Sequence, residues 1–365
     1  MAETVFAVLR RRRSLEAAAG SAAPHDLVIA ALVRVFGLSG RALEYDTALV
    51  ARIKSAAGER LPPAVQADLP DWLWERLAAA GSEAEAAAIA QGLLGAAPLD
   101  LRVNLSKLTR DEALARRGSS REGAPTPLSP AGIRLKGKPA INRHALFLEG
   151  AVEVQDEGSQ LLAWLLAPRR GEMVADFCAG AGGKTLAISM LMHGTGRVYA
   201  MDVSEKRLRE LAPRAARAGI SNVHPIVLSG EGDVRAKRLT GKLDRVLVDA
   251  PCSGFGTLRR NPDLKWRHGA SAIAELSAKQ ARILEAAAKL VKPGGRLVYA
   301  TCSILPDENE AVADAFAARH PEFKSLSCAA LFAVQRIPVD TGERLRLWPH
   351  LHGTDGFFAA AFERR

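Results

Sequence analysis

From residue 172 to residue 319 the chain alternates short apolar runs with helix-patterned segments, and this alternation constrains the fold more than any other feature. The runs at 172–178 (EMVADFC), 197–202 (RVYAMD), 223–228 (VHPIVL), 244–250 (DRVLVDA) and 295–302 (GRLVYATC) read as strands. Helical spacing at 183–193, 204–218, 275–291 and 308–319 fills the intervals. Strands that alternate with helices pair in parallel and bury both faces of their sheet, which gives a doubly wound α/β fold. Ligands of such sheets bind at the carboxyl ends of the strands.

The upstream part has a different texture. Residues 1–95 read as a helical domain, with helical runs such as DLVIAALVRVFGL and EAEAAAIAQGLLG broken at Pro24, Pro62, Pro63 and Pro70. Residues 96–150 read as a small basic α/β module, in which LDLRVNLSKL alternates like a strand, TRDEALARRG is helical and APTPLSPAG is a turn-rich connector. The helix-patterned EVQDEGSQLLAWLLAP then leads into a final domain over 151–365.

Charge separates these parts. The formal net charge is +10, yet residues 1–100 carry 10 basic and 12 acidic side chains, whereas residues 101–143 carry 10 basic and 3 acidic. The excess of the first half therefore sits in the small module, where it suits a polyanionic partner. The run Arg10–Arg13 lies in mildly acidic surroundings and reads as a solvated helix face. No stretch approaches the roughly 18 uncharged apolar residues that cross a bilayer. The four arginines precede any signal-peptide core, so the expected location is the cytoplasm.

The glycine-rich DFCAGAGGKT follows the first strand and opens a helix, placing Gly180, Gly182 and Gly183 where backbone bends sharply against a ligand. Asp202 ends the next strand 22 residues after Gly180, where a carboxylate can hydrogen-bond a ribose hydroxyl pair. Together they imply a nucleoside-containing cofactor. A phosphate-binding loop is the competing reading, since CAGAGGKT satisfies GxxxxGK[ST] at Gly183, Lys184 and Thr185 but has Cys178 in place of the first glycine. A nucleotide hydrolase would also leave Asp202 and two Cys-Ser motifs without a role.

Those motifs, DAPCSG at 249–254 and ATCSILPDENE at 300–310, end two of the expected strands. Cys178, Cys252, Cys302 and Cys328 show neither CxxC spacing nor paired histidines, so free thiols are expected and neither a metal nor a disulfide framework is signalled. Cys328 has no motif around it and reads as a small buried side chain.

DFCAGAGGKT, DRVLVDAPCSGFGTLRRNPDLKW, ATCSILPDENE and the closing HGTDGFFAAAF resemble the successive motifs of the RsmB/Nop/Sun family of RNA 5-methylcytosine methyltransferases, over roughly residues 98–365. The resemblance implies a Rossmann-like methyltransferase domain that uses S-adenosylmethionine. C5 of cytosine is a poor nucleophile, so a thiolate first adds to C6 and a second group later removes the C5 proton, which divides one hard step into easier ones. DNA cytosine-C5 methyltransferases take the thiolate from a Pro-Cys pair, which would select Cys252. The RNA family implies Cys302 as nucleophile and Cys252 in product release, with Asp249 as the acid at N3 and Lys184 pointing into the same end of the sheet.

Around the cofactor the expected contacts are Cys178, Ala179, Gly180, Ala181, Gly182, Gly183, Lys184, Asp202 and Asp249, with Asp233 preferred over Glu231 beside the adenosine. The first motif departs from the family at Gly180 and Ala181, where Ala-Pro is usual. Arg259, Arg260, Lys265 and Trp266 interleave cations with an aromatic and suit phosphate contact and base stacking. The expected partner is RNA, ribosomal before transfer RNA, with the target cytosine flipped out of its stack. A non-catalytic RNA-binding protein on the same fold is the different-class alternative.

Overall fold

The structure is a computed structural model that describes residues 2–39, 47–56, 60–116 and 123–365. The chain forms two compact units, one of residues 1–96 with 255–272, the other of residues 97–254 with 273–365.

The larger unit holds both sheets. Strands β1 (Leu99–Val103), β2 (Gly123–Pro125), β3 (Gly132–Leu135) and β4 (Val152–Val154) form an antiparallel sheet in the order β2-β3-β1-β4. Leu101, Val103, Ile133, Leu135 and Val152 fill its core with Leu146 and Ala113. The second sheet contains β5 (Met173–Asp176), β6 (Arg197–Asp202), β7 (Val223–Val227), β8 (Leu243–Asp249) and β9 (Val291–Thr301). They pair in parallel in the order β9-β8-β5-β6-β7. Side chains alternate across this sheet: Leu297 and Tyr299 pack into the core on one face, Val298 and Ala300 into the core on the other. Both faces are covered over β5, β8 and the C-terminal half of β9, which is why these strands read as apolar runs, whereas the edge strand β7 is only partly buried.

All five expected strands are present, and three more follow. Strand β10 (Phe323–Leu326) and β12 (Phe357–Arg364) extend the sheet beyond β9, with β11 (Leu345–Leu347) paired to β12. Because β12 runs antiparallel to β9, the sheet is mixed at this edge. The expected helix over 204–218 is instead two, Glu205–Arg209 and Leu211–Ala218. Pro213 has no N–H for the carbonyl of Arg209 and its ring crowds it, so the first helix stops there.

The smaller unit is helical. Its core gathers Leu15, Ala19, Leu27, Ala30, Ala31, Val50 and Ile53 from helices Arg12–Ala19, Pro24–Arg34 and Thr47–Ser55. The arginine run is not simply a solvated face. Arg13 donates to the Leu69 carbonyl at 2.8 Å and to Asp71 at 2.6 Å, and Arg10 donates to the Arg259 carbonyl at 2.9 Å. Among the described residues no helix is long and apolar enough to cross a membrane.

Candidate active site

Asp176, Asp202, Asp249 and Thr301 are the last residues of β5, β6, β8 and β9. The parallel pairing therefore brings the first-strand glycine turn, both Cys-Ser motifs and three carboxylates to one edge of the sheet.

The glycine turn is tied down by backbone bonds. Ala179 N–H donates to the Met201 carbonyl at 2.9 Å, and Gly180 N–H donates to Asp202 Oδ2 at 2.8 Å. The other Asp202 oxygen accepts the Ser204 N–H at 2.8 Å, so this buried carboxylate fixes the turn to the loop after β6. Gly180 and Gly182 have φ of 55° and 83°, a region costly for other residues. A Cβ on Gly180 would sit 2.4 Å from the Arg207 guanidinium, so a side chain there requires this exposed arginine to move. Gly182 caps the helix Gly183–Leu191, which carries Lys184 and Thr185.

Lys184 Nζ donates to Asp249 Oδ2 at 2.6 Å and lies 5.7 Å from the centre of the Phe357 ring. Burial alone would lower the lysine pKa. Asp249 outweighs it, with further help from Asp176 and Cys302, and holds the ammonium above its ordinary value. Beneath it Asp176 is fully buried, accepts Thr185 Oγ1 at 2.7 Å and leaves Oδ1 without a partner. Burial pushes this carboxyl up to about 7, against the Thr185 hydrogen bond and the Lys184 charge.

The two motif cysteines meet. Cys252 Sγ and Cys302 Sγ are 3.4 Å apart, each partly buried. Cys252 is held well above the ordinary thiol range by its hydrogen bond to Cys302, by burial and by the nearby Glu308 and Asp249 carboxylates. Lys184, by contrast, shares its electrostatic environment with Cys302. Cys178 remains a thiol because burial and the carboxylates of Asp176, Asp249 and Asp202 raise it. Cys328 is buried, and its thiol donates to the Ala359 carbonyl at 3.8 Å.

Other expected contacts are placed differently. Asp233 caps the helix Val234–Lys237 and takes five donors on its two oxygens, from Ser229 and Arg235. A carboxylate offers about four lone-pair sites, so an adenosine contact there requires Arg235 to withdraw. Glu231 faces Arg282 at 3.8 Å.

Lys265 is buried in the helical unit, where Nζ donates to the carbonyls of Arg10 at 2.8 Å and Asp68 at 2.6 Å. Trp266 Nε1 donates to the Leu9 carbonyl at 2.8 Å, and Arg259 is buried. The polar ends of Lys265 and Trp266 are thus engaged within the helical unit. Arg260 is half-buried.

The basic module is divided in the same way. Arg102 is buried and donates to the Gly183 carbonyl at 2.7 Å, and Arg134 makes two 2.8 Å bonds to Asp100. Lys136, Lys138 and Arg143 are exposed, and Arg117 and Arg121 lie outside the described residues.

Sequence reasoning missed Asp176, Phe357 and the residues that bind the two cysteine loops, Ser253, Ser303, Gln280 and Glu308. The repeated serine after each cysteine was the available signal.

Comparison with known proteins agrees with this geometry. Residues 163–363 match the family model described as 16S rRNA methyltransferase RsmB/F, and residues 69–142 match the ferredoxin-like domain of RsmF/B-like methyltransferases. The probable ribosomal RNA small subunit methyltransferase B of Synechocystis is 37% identical over 312 residues, 84% of this chain and 69% of that protein. The crystal structure of PH0851 superposes with a TM-score of 0.82 at 28% identity, covering 100% of this chain and 89% of that one. A methyltransferase homologue from Pyrococcus horikoshii gives a TM-score of 0.71 at 29% identity, covering 83% of this chain and 98% of that one. Strand order, glycine turn and family match converge on one conclusion: the chain belongs to the RsmB/F family of 16S rRNA methyltransferases.

Proposed function

We propose that this protein methylates C5 of a cytosine in ribosomal RNA, in the cytoplasm, with Cys302 as nucleophile, Cys252 in product release and Asp249 as the acid at N3. The observation that carries the reading is the 3.4 Å approach of two thiols from different strand ends, beside a lysine–aspartate pair.

S-adenosylmethionine supplies an electrophilic methyl group on a sulfonium. The residues present fit it: the backbone of Cys178, Ala179, Gly180, Ala181, Gly182 and Gly183 forms a turn with glycine at three of its six positions, and Asp202 retains lone pairs for a ribose hydroxyl. Asp233 would contact the adenosine once Arg235 moves aside. The cytosine enters as a flipped-out base.

The Cys302 thiolate adds to C6, and its S–C6 bond forms as the C5–C6 π pair becomes available at C5. Asp249 would act as the acid at N3, where charge develops on the ring, and Lys184 keeps its carboxyl group oriented. The Lys184 ammonium also stabilises the attacking thiolate. After C5 gains the methyl, the C5 proton passes to solvent water, the C5–C6 double bond reforms as the S–C6 bond breaks, N3 returns its proton to Asp249 and Cys302 departs as thiolate. Cys252, held as a thiol 3.4 Å away, hydrogen-bonds the departing sulfur and so favours release over re-addition.

Labelled S-adenosylmethionine incubated with small-subunit ribosomal RNA, transfer RNA and DNA of matched sequence tests this reading. Recovery of 5-methylcytidine from the ribosomal RNA supports it. Label in DNA alone would return the Pro251-Cys252 chemistry, and failure to bind S-adenosylmethionine would favour a non-catalytic RNA-binding protein.

A further inference from the structure

Nothing in that chemistry explains the serine after each cysteine. Ser253 and Ser303 are buried, with hydroxyl oxygens 3.3 Å apart. Both donate to one atom, Glu308 Oε2, the Ser253 bond being 2.5 Å. Glu308 Oε1 accepts the Ser253 N–H at 2.8 Å and Gln280 Nε2 at 3.0 Å. Gln280 Nε2 also reaches the Pro251 carbonyl at 3.0 Å, and the Tyr299 hydroxyl reaches Gln280 Oε1 at 3.2 Å. Glu308 is 0% exposed, and these donors are all neutral.

A buried carboxylate held only by neutral donors is costly, and an apolar or amide residue would be cheaper for stability alone. Its position is informative. The four donors come from both cysteine loops and from the helix Ala270–Ala288 that backs them.

We propose that Glu308 is a positioning residue, a clasp that fixes the Cys252 and Cys302 loops to each other so that attack and release act on one base. The proposal rests on the two-cysteine reading above. It also carries an electrostatic consequence: Glu308 faces Cys252 together with Cys302 and Asp249, and its charge helps keep Cys252 protonated.

The test uses full-length Glu308→Gln and Ser303→Ala, with methylation kinetics on ribosomal RNA. A second arm follows thiolate ultraviolet absorbance against pH in Cys302→Ser protein, with and without Glu308→Gln. Displaced reacting groups cost about 10²-fold, so both variants should lose about that much kcat while the RNA KM and S-adenosylmethionine affinity hold. Glu308→Gln should also lower the pH at which Cys252 ionises, because a neighbouring negative charge is gone. Ser303→Ala, which keeps the charge, should not.

Near-wild-type kcat in both variants overturns the clasp, as does a kcat loss in Glu308→Gln with Cys252 ionisation unmoved. The ionisation arm needs no RNA. A lowered Cys252 ionisation alongside full methylation by Cys302→Ala protein would therefore sink the two-cysteine reading and leave the Glu308 contact standing.

Discussion

Lys184 Nζ lies 2.6 Å from Asp249 Oδ2, joining the helix after β5 to the end of β8 at the point where the cysteine of DAPCSG begins its loop. The pair sets the electrostatics of the candidate site, because it places the Lys184 ammonium at the edge where the carboxyl groups of Asp176, Asp202 and Asp249 gather.

Lys184→Met should therefore lower kcat by roughly 10²–10³-fold, the scale seen when a preorganised charge-stabilising group is removed. It should also slow alkylation of Cys302 by iodoacetamide at neutral pH, since the thiolate loses its cation. Unchanged alkylation with unchanged kcat would show that the lysine only packs against Phe357.

Gly180→Ala should weaken S-adenosylmethionine binding at least tenfold by calorimetric titration. The added methyl meets the Arg207 guanidinium at 2.4 Å and sits at a φ of 55° that alanine disfavours. Removing the guanidinium as well, in Gly180→Ala with Arg207→Ala, leaves the backbone penalty and separates the two causes.

Asp176 gives the fold a pH dependence. Its carboxyl ionises at about 7 in the folded protein against 3.8 ordinarily, so the folded state binds the proton more tightly. The stability from that proton is complete below pH 3.8 and is lost as pH rises through about 7. Asp176→Asn keeps the uncharged shape at every pH. Its Tm should exceed wild type by roughly 5 °C on the alkaline side of that transition, with the gap closing toward acid. A gap independent of pH would contradict the buried-carboxyl account.

Lys265 and Trp266 should act through stability. Lys265→Ala strands the Arg10 and Asp68 carbonyls, and a lost buried bond costs about 1–3 kcal/mol per unsatisfied group. Thermal melting should fall in Lys265→Ala and Trp266→Ala, while RNA affinity per folded molecule, measured well below the melt, stays near wild type. A fall in affinity without a fall in Tm would restore the RNA-contact expectation.

The sequence made much of this legible where local pattern and position coincide. β5, β8 and β9 show as apolar runs because both sheet faces are buried there, and the glycine turn and Asp202 sit at strand ends. β12 escaped notice for the same reason in reverse: FFAAAFER is buried throughout its first six residues, with no alternation and three alanines that suggest helix as readily as strand. The Glu308 clasp was illegible because its partners are up to 55 residues away and its charge suggests a surface residue. The KW of LRRNPDLKW is ambiguous in sequence, since cations interleaved with an aromatic serve a contact inside the helical unit as well as they suit RNA.

The measurement that bears most directly on the central claim is a denaturing gel of wild type, Cys252→Ala and Cys302→Ala after incubation with ribosomal RNA and labelled S-adenosylmethionine. The two-cysteine account predicts that Cys252→Ala accumulates a covalent protein–RNA adduct, while Cys302→Ala yields neither adduct nor methylated RNA. Methylation by Cys302→Ala, or an adduct that requires Cys252, would contradict it.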